Sequence, residues 1–285
     1  FKQWSELKHY ANQKGIKIIG DMPIYVAADS VEVWTKPELF QLDKERNPLF
    51  VAGVPADQFS ATGQLWGNPL YAWEEHKKQG YAWWIHRIEE SFKIYDVLRI
   101  DHFKGFSDYW QVDGKAEVAK DGSWQPGPGY DLFKAVKEQL GDLPIIAEDL
   151  GNIDDKARKL LTDCNYPGMK ILQFGFEDVS GESLDSPHYC IPHSIVYTGT
   201  HDNDVTNGWY NSLTEQQQQY TNDYTHRRED ESICQAMIRQ LFATVSNTAI
   251  ATMQDVLDLP ASSRMNVPST IGGNWQWRMQ QSDLT

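Results

Sequence analysis

The sequence predicts an α/β fold, a TIM-type (β/α)8 barrel, and three observations carry that expectation. Six short apolar runs, centred near residues 18, 98, 145, 171, 196 and 250, alternate with segments of helical periodicity. Apolar runs without in–out alternation are typical of parallel strands covered on both faces. Five of the six run straight into an acidic residue: Asp21, Asp101, Glu148, Asp202 and Asp255. In a closed parallel barrel every strand ends on the face that holds the active site, so acids scattered along the chain would converge there. No glycine-rich phosphate loop follows any strand, which disfavours the alternative, a doubly wound open sheet. Six strands are two short of a closed barrel. The chain starts at Phe1 within a helical pattern. The expectation is therefore an N-terminally truncated piece, with residues 1–285 forming one catalytic barrel fragment.

Taken in order, Trp4, Leu7, Lys8 and Ala11 fit a helix closed by Gly15. IKIIGDMPIYV supplies a first strand over roughly 16–20, ending at Asp21. Residues 29–52 read as short helical and irregular pieces anchored by Val33, Trp34, Leu39 and Phe40. Residues 53–69, GVPADQFSATGQLWGNP, read as a long loop punctuated by Gly53, Pro55, Gly63, Gly67 and Pro69. Loops of that length in compact domains are usually functional or disordered. Phe59 and Trp66 favour a cover over a ligand above a merely packed loop. A helix over about 71–94 follows, with Gly80 as a possible early break. After a strand at 96–101 comes an irregular excursion over 107–129, then a helix over about 130–140 that stops at Gly141. Strands at 143–147 and 169–176 flank a helix near 153–162. A strand at 193–204 ends at His201 and Asp202. Helices near 214–223 and 229–245 precede the last strand, 248–253.

Composition narrows the function. With 26 basic and 40 acidic residues the formal charge is −14, which argues against nucleic acid and anionic membrane surfaces as partners. Cys164, Cys190 and Cys234 lie far apart and make neither a zinc pattern nor a disulfide framework, as expected of a reducing, cytoplasmic setting. No apolar run is long enough to cross a bilayer, and no signal peptide is visible. Eleven tryptophans and thirteen tyrosines offer flat faces for sugar rings, although core filling accounts for most of them.

The chemistry concentrates in DVLRIDHFKGF, residues 96–106. Arg99 and Asp101 are two apart on a strand and share a face. A buried Arg99 would keep Asp101 ionised, and an ionised carboxylate at a strand end is a candidate nucleophile. A purely structural ion pair is the competing reading. Glu148 follows Ile145, Ile146 and Ala147, and nearby negative charge would raise its pKa and make it the acid. Retaining glycosidases place such a pair about 5 Å apart. Asp202 would then hold sugar hydroxyls and stabilise positive charge. His102 and His201 adjoin two of these acids and suit sugar hydroxyls; no metal-binding spacing such as HExxH includes them.

VLRIDHF, IIAEDLG and YTGTHDND resemble the strand-end motifs of the α-amylase superfamily of retaining α-glycosidases. GDMPIYVA, SATGQLWGNP, RIDHFKGF and PGMKILQF resemble one branch, the 4-α-glucanotransferases called amylomaltases or disproportionating enzymes, as does the core of a further motif at Arg264, Met265, Asn266 and Pro268. The resemblance covers almost the whole chain. It implies that Asp101 is the nucleophile, Glu148 the acid/base and Asp202 the transition-state stabiliser. It places Asp21, Arg99, His102 and His201 in the donor-sugar pocket, and Asp57, Phe59, Gln64 and Trp66 on a mobile substrate loop. Phe174 falls at an acceptor-side aromatic position and Asn266 among the substrate-binding residues. Gln58 stands where relatives carry an aromatic. The implied activity is transfer of α-1,4-glucan segments from a donor malto-oligosaccharide to the 4-hydroxyl of an acceptor. Malto-oligosaccharides, amylose or glycogen-type glucans are the implied partners, with no metal or organic cofactor, and the enzyme is expected as a monomer or weak homo-oligomer. A retaining α-glucan hydrolase and a non-catalytic glucan-binding chain remain as alternatives.

Overall fold

The computed structural model describes residues 1–56, 62–151 and 153–284. These form two compact units, Phe1–Pro167 and Gly168–Thr285.

The first unit opens with α1 (Lys2–Gln13), β1 (Ile19–Met22), α2 (Val31–Thr35), β2 (Phe50–Val54), β3 (Gln64–Pro69), α3 (Trp73–Lys78) and α4 (Ala82–Ile94). It continues with β4 (Val97–Ile100), β5 (Asp108–Asp113), β6 (Ser123–Pro126), α5 (Tyr130–Leu140), β7 (Ile145–Ala147) and α6 (Asp155–Cys164). Three of the expected strands, β1, β4 and β7, form a parallel sheet in the order β1–β4–β7. The inner strand β4 contributes Leu98 and Ile100 to a core shared with Trp84 and Ile88 of α4 and Leu132, Phe133 and Val136 of α5. The register pairs Asp21 with Arg99, and Arg99 with Ile146. The ladder runs one residue past the strands: the Asp101 amide donates to the Met22 carbonyl at 3.0 Å and the Glu148 amide to the Ile100 carbonyl at 3.0 Å. Sheet geometry alone thus brings Asp101 and Glu148 to the same rim.

Two stretches expected to be irregular contain strands. Loop 53–69 contains the end of β2 and all of β3, and excursion 107–129 contains β5 and β6. Together they make a four-stranded antiparallel sheet in the order β3–β2–β5–β6, with Val51, Trp110, Val112 and Ala119 in its core. Gly53 belongs here for a packing reason: a Cβ on it would come within 2.4 Å of the Gln64 carbonyl oxygen. The expected 71–94 helix is two helices, broken where Gly80 takes a positive φ of 62°.

The second unit holds β8 (Gly168–Ile171), α7 (Leu172–Glu177), β9 (Ser194–Tyr197), α8 (Thr206–Ser212), α9 (Glu215–Thr225), α10 (Ile233–Phe242), β10 (Thr248–Ile250) and α11 (Met253–Val256). Its parallel sheet runs β10–β9–β8. The strand expected over 169–176 stops at Ile171, because Leu172 and Phe176 have helical spacing and are both buried in α7. The strand expected over 193–204 ends at Tyr197. Helices α9 and α10 start where sequence chemistry demands, each with a capping box: Thr214 with Gln217, and Ser232 with Gln235. Asp255, counted above among the strand-end acids, is only 2 % exposed. It accepts from the Thr198 hydroxyl at 2.6 Å and the Thr206 amide at 2.8 Å, which makes it an internal brace.

Candidate active site

In the first unit, Arg99 is the centre of charge. Its side chain is buried, whereas Asp21 and Asp101 remain about two-fifths exposed. Nη1 donates to both Asp21 oxygens at 2.7 and 2.8 Å and to Asp101 Oδ1 at 2.9 Å. The i, i+2 relation on β4 supplies one carboxylate and the cross-strand register supplies the other. A single guanidinium therefore fixes Asp101 with one oxygen engaged and leaves Oδ2 unengaged by that group.

Glu148 is held differently. Oε2 accepts from the His102 amide at 2.7 Å and Oε1 from the Leu150 amide at 2.8 Å. Reaching the first contact requires His102 to take a left-handed conformation, φ 49°, at the turn that follows Asp101. The Glu148 pKa is pushed up to about 7. Burial is the largest cause and the charge of Asp101 adds to it, while Arg99 and the two backbone donors pull the other way. The sequence pointed to neighbouring charge, but desolvation dominates. One rim therefore carries an ion-paired carboxylate beside a carboxyl that is half protonated near neutrality. This is the split that divides nucleophile from acid in carboxylate pairs. Burial likewise pushes the His102 pKa down to about 4, so its imidazole is neutral above that pH and can both donate and accept.

Trp66 lies edge-on to His102, with ring centroids 4.8 Å apart, and its indole N–H donates to Gln64 Oε1 at 3.2 Å. Both residues belong to β3, so Trp66 is part of a hydrogen-bonded sheet. Tyr25, which the sequence did not single out, packs 6.3 Å from Trp66 by ring centroid. Asp57, Gln58 and Phe59 lie outside the described residues.

In the second unit, His201 and Asp202 follow β9 and are buckled by the Arg264–Asn266 motif. Asn266 Nδ2 donates to Asp202 Oδ1 at 2.6 Å and Arg264 Nη2 to the Asp202 carbonyl at 2.7 Å. The Asn266 amide donates to the His201 carbonyl at 3.1 Å, and Arg264 Nε donates to the Asn266 carbonyl at 2.8 Å. Asn266 thus spends a side-chain donor on orienting Asp202. Arg264, noted in the sequence only as part of a motif, locks that arrangement. Trp275 lies 5.2 Å from the His201 ring by centroid; nothing in its local sequence marks it. Phe174 sits on α7, about a third exposed.

Among the described residues, the one trio with metal-ligand spacing is His86, Glu89 and Glu90 on the exposed face of α4, outside this constellation. No helix among them is long and apolar enough to cross a membrane.

A family model described as 4-alpha-glucanotransferase matches residues 1–284. A 4-alpha-glucanotransferase of Streptococcus pneumoniae serotype 4 is 54 % identical over 286 residues, covering 100 % of this chain and 56 % of the relative. One from Clostridium butyricum is 45 % identical over 289 residues, covering 100 % and 59 %. Among solved structures, an amylomaltase from Streptococcus agalactiae in complex with acarbose superposes with a TM-score of 0.98 at 60 % identity, covering 100 % of this chain and 57 % of that one. Amylomaltase from Corynebacterium glutamicum, at 16 % identity, shares the fold with a TM-score of 0.76, covering 96 % and 44 %. The chain spans about half the length of the curated relatives it matches.

Proposed function

Because this chain belongs to the 4-alpha-glucanotransferase family, we propose that it carries the catalytic carboxylates of an α-1,4-glucan transferase. The observation that carries the reading is the pairing on one sheet rim of Asp101, bridged to Arg99, with Glu148, whose pKa is raised to about 7. An Asp101 oxygen attacks the anomeric carbon of the donor glucan. The glycosidic C–O bond breaks, and the departing oxygen takes the Glu148 proton. The glycosyl–Asp101 ester is then opened by the 4-hydroxyl of an acceptor glucan, which gives its proton back to Glu148. Two inversions leave the α configuration unchanged. Asp202, oriented by Asn266 and Arg264, is the third carboxylate, opposing the positive charge that builds on the ring. Asp21, Arg99, His102 and His201 hold donor hydroxyls, with Phe174, Gln64 and Trp66 as further sugar contacts.

The two three-stranded parallel sheets, β1–β4–β7 and β10–β9–β8, supply six strands of the kind expected of a TIM-type barrel, and that is the proposed architecture. Malto-oligosaccharides and longer α-glucans are the proposed substrates, in keeping with the Streptococcus agalactiae relative solved with acarbose. Three free cysteines suit a cytoplasmic location.

Incubation with maltotriose tests the reaction. Transfer yields glucose together with longer oligosaccharides while total reducing ends stay nearly constant. A steady rise in reducing ends would replace transfer by hydrolysis, and no turnover of maltotriose or amylose would overturn both.

A further inference from the structure

A second feature of the first unit has no part in the chemistry above. A groove of about 720 Å³ is lined by Lys104, Asp108, Trp124, Asp154, Asp155 and Lys156. Four of its polar groups are joined in two ion pairs. Lys104 Nζ bridges to Asp154 at 3.2 Å and Lys156 Nζ to Asp108 at 3.1 Å. Lys104 and Asp108 are nearly inaccessible, with side-chain exposures of 12 % each. Trp124 of β6 is 43 % exposed. It is braced edge-on by Trp110, with centroids 5.2 Å apart, and Lys104 Nζ lies 4.6 Å from its ring centroid. Trp124 is thus held between these two neighbours with part of its ring open to solvent.

The charges say what the groove suits. Three carboxylates stand against two ammonium groups, and both ammoniums are engaged in ion pairs, so an anion gains nothing here. A neutral polyhydroxyl ligand fits: carboxylates accept from its hydroxyls, ammoniums donate to them, and the C–H face of a pyranose packs on the indole. The groove also has a fixed relation to the reacting groups along the chain. Lys104 lies in the turn Phe103–Phe106 that follows Asp101 and His102. Asp154 caps α6, the helix that follows Glu148. The segments leaving the catalytic ends of β4 and β7 therefore build it.

We propose that this groove is a remote subsite for the α-glucan chain, gripping glucose units several residues away from the bond that reacts and favouring long substrates over short ones. The substrate class rests on the function proposed above; the groove itself does not.

The test compares amylose with maltotriose. Trp124→Ala lowers the ratio of kcat/KM for amylose to kcat/KM for maltotriose by about fivefold, equivalent to about 1 kcal/mol for a sugar–aromatic contact. Trp124→Phe keeps most of the ratio. Asp155→Ala, at the exposed start of α6, removes an acceptor without touching the core and lowers the ratio about threefold, which guards against a Trp124 variant that fails to fold. Direct titration of the Glu148→Gln protein with maltoheptaose, with and without each substitution, reads the same losses as affinity without requiring turnover. An unchanged ratio and unchanged affinity in both Trp124→Ala and Asp155→Ala overturn the subsite while leaving the transferase reading intact. Equal losses on both substrates also overturn it. A protein that fails to disproportionate maltotriose, yet whose maltoheptaose affinity depends on Trp124, overturns the transferase reading and keeps the groove.

Discussion

Glu148→Gln separates acid chemistry from mere shape at the proposed catalytic rim. With its pKa raised to about 7, about half of the Glu148 population carries a proton at neutral pH. An ordinary glutamic acid would carry one in about 0.3 % of molecules, so the environment raises the acid-competent fraction about 150-fold. The unmutated enzyme should therefore show a kcat/KM that falls about tenfold per pH unit on the alkaline side of roughly pH 7. Glutamine neither donates as an acid nor accepts as a base, so the rate at pH 6 should drop by about 10²–10⁴-fold and the limb near pH 7 should disappear. The structure warns of a side effect. Oε1 and Oε2 each accept from a different backbone N–H, and a carboxamide has only one oxygen, so one amide loses its acceptor at a cost of about 1–3 kcal/mol. Thermal unfolding and oligosaccharide affinity must accompany the rates. Glu89→Gln, on the exposed face of α4, is the control and should change none of them. Retention of the limb near pH 7 in Glu148→Gln, or a loss of less than tenfold, would refute the assignment of Glu148 as the acid.

Asp202→Asn should lower kcat about 100-fold or more while leaving sugar affinity nearly unchanged, since a charge opposing an oxocarbenium-like centre matters most in the transition state. Asn266→Ala deletes only the hydrogen bond to Asp202, so its kcat should fall about tenfold; a change confined to KM would make Asn266 a sugar contact. Trp66→Ala should raise the share of hydrolysis in maltotriose reactions, and an unchanged transfer-to-hydrolysis ratio would reduce Trp66 to packing. His76, buried on α3 with its pKa pushed down to about 4 by desolvation, should make the fold acid-labile. The unfolded chain takes up this proton near pH 6.5 and the folded one only near 4. Unfolding free energy therefore falls as pH drops between those values, by about 2 kcal/mol at pH 5. Denaturant titrations at pH 7 and 5 should show a smaller difference for His76→Gln, and an equal difference would contradict the assignment.

What could be read from the chain beforehand follows from how local each interaction is. Strands β4 and β7 were legible because a strand buried on both faces must be apolar along its length, and Leu98, Ile100, Ile145 and Ala147 record that requirement directly; β1, which leaves Ile19 and Asp21 exposed, lies at Ile19–Met22 rather than over the expected 16–20. Strands β3, β5 and β6 were not, because their sequences QLWGNP, DYWQVD and SWQP mix polar, aromatic and turn-forming residues. They become strands through partners elsewhere in the sequence, such as Phe50 opposite Asp113. The same limit applies to the site. The Arg99–Asp101 contact was legible from two-residue spacing, but the bridge to Asp21 spans 78 positions and exists because β1 pairs in register with β4. Strand-end acidity nominates carboxylates without sorting them. It selected Asp101 and Glu148, and it equally selected Asp255, which the Thr198 hydroxyl and the Thr206 amide have turned into a brace. What distinguishes them is solvation. Asp101 stays open to water beside a guanidinium, Glu148 is pressed toward its neutral form by its surroundings, and Asp255 is sealed and saturated. Pattern along the chain nominates carboxylates; only the environment built around each one decides whether it attacks, donates a proton or holds the fold together.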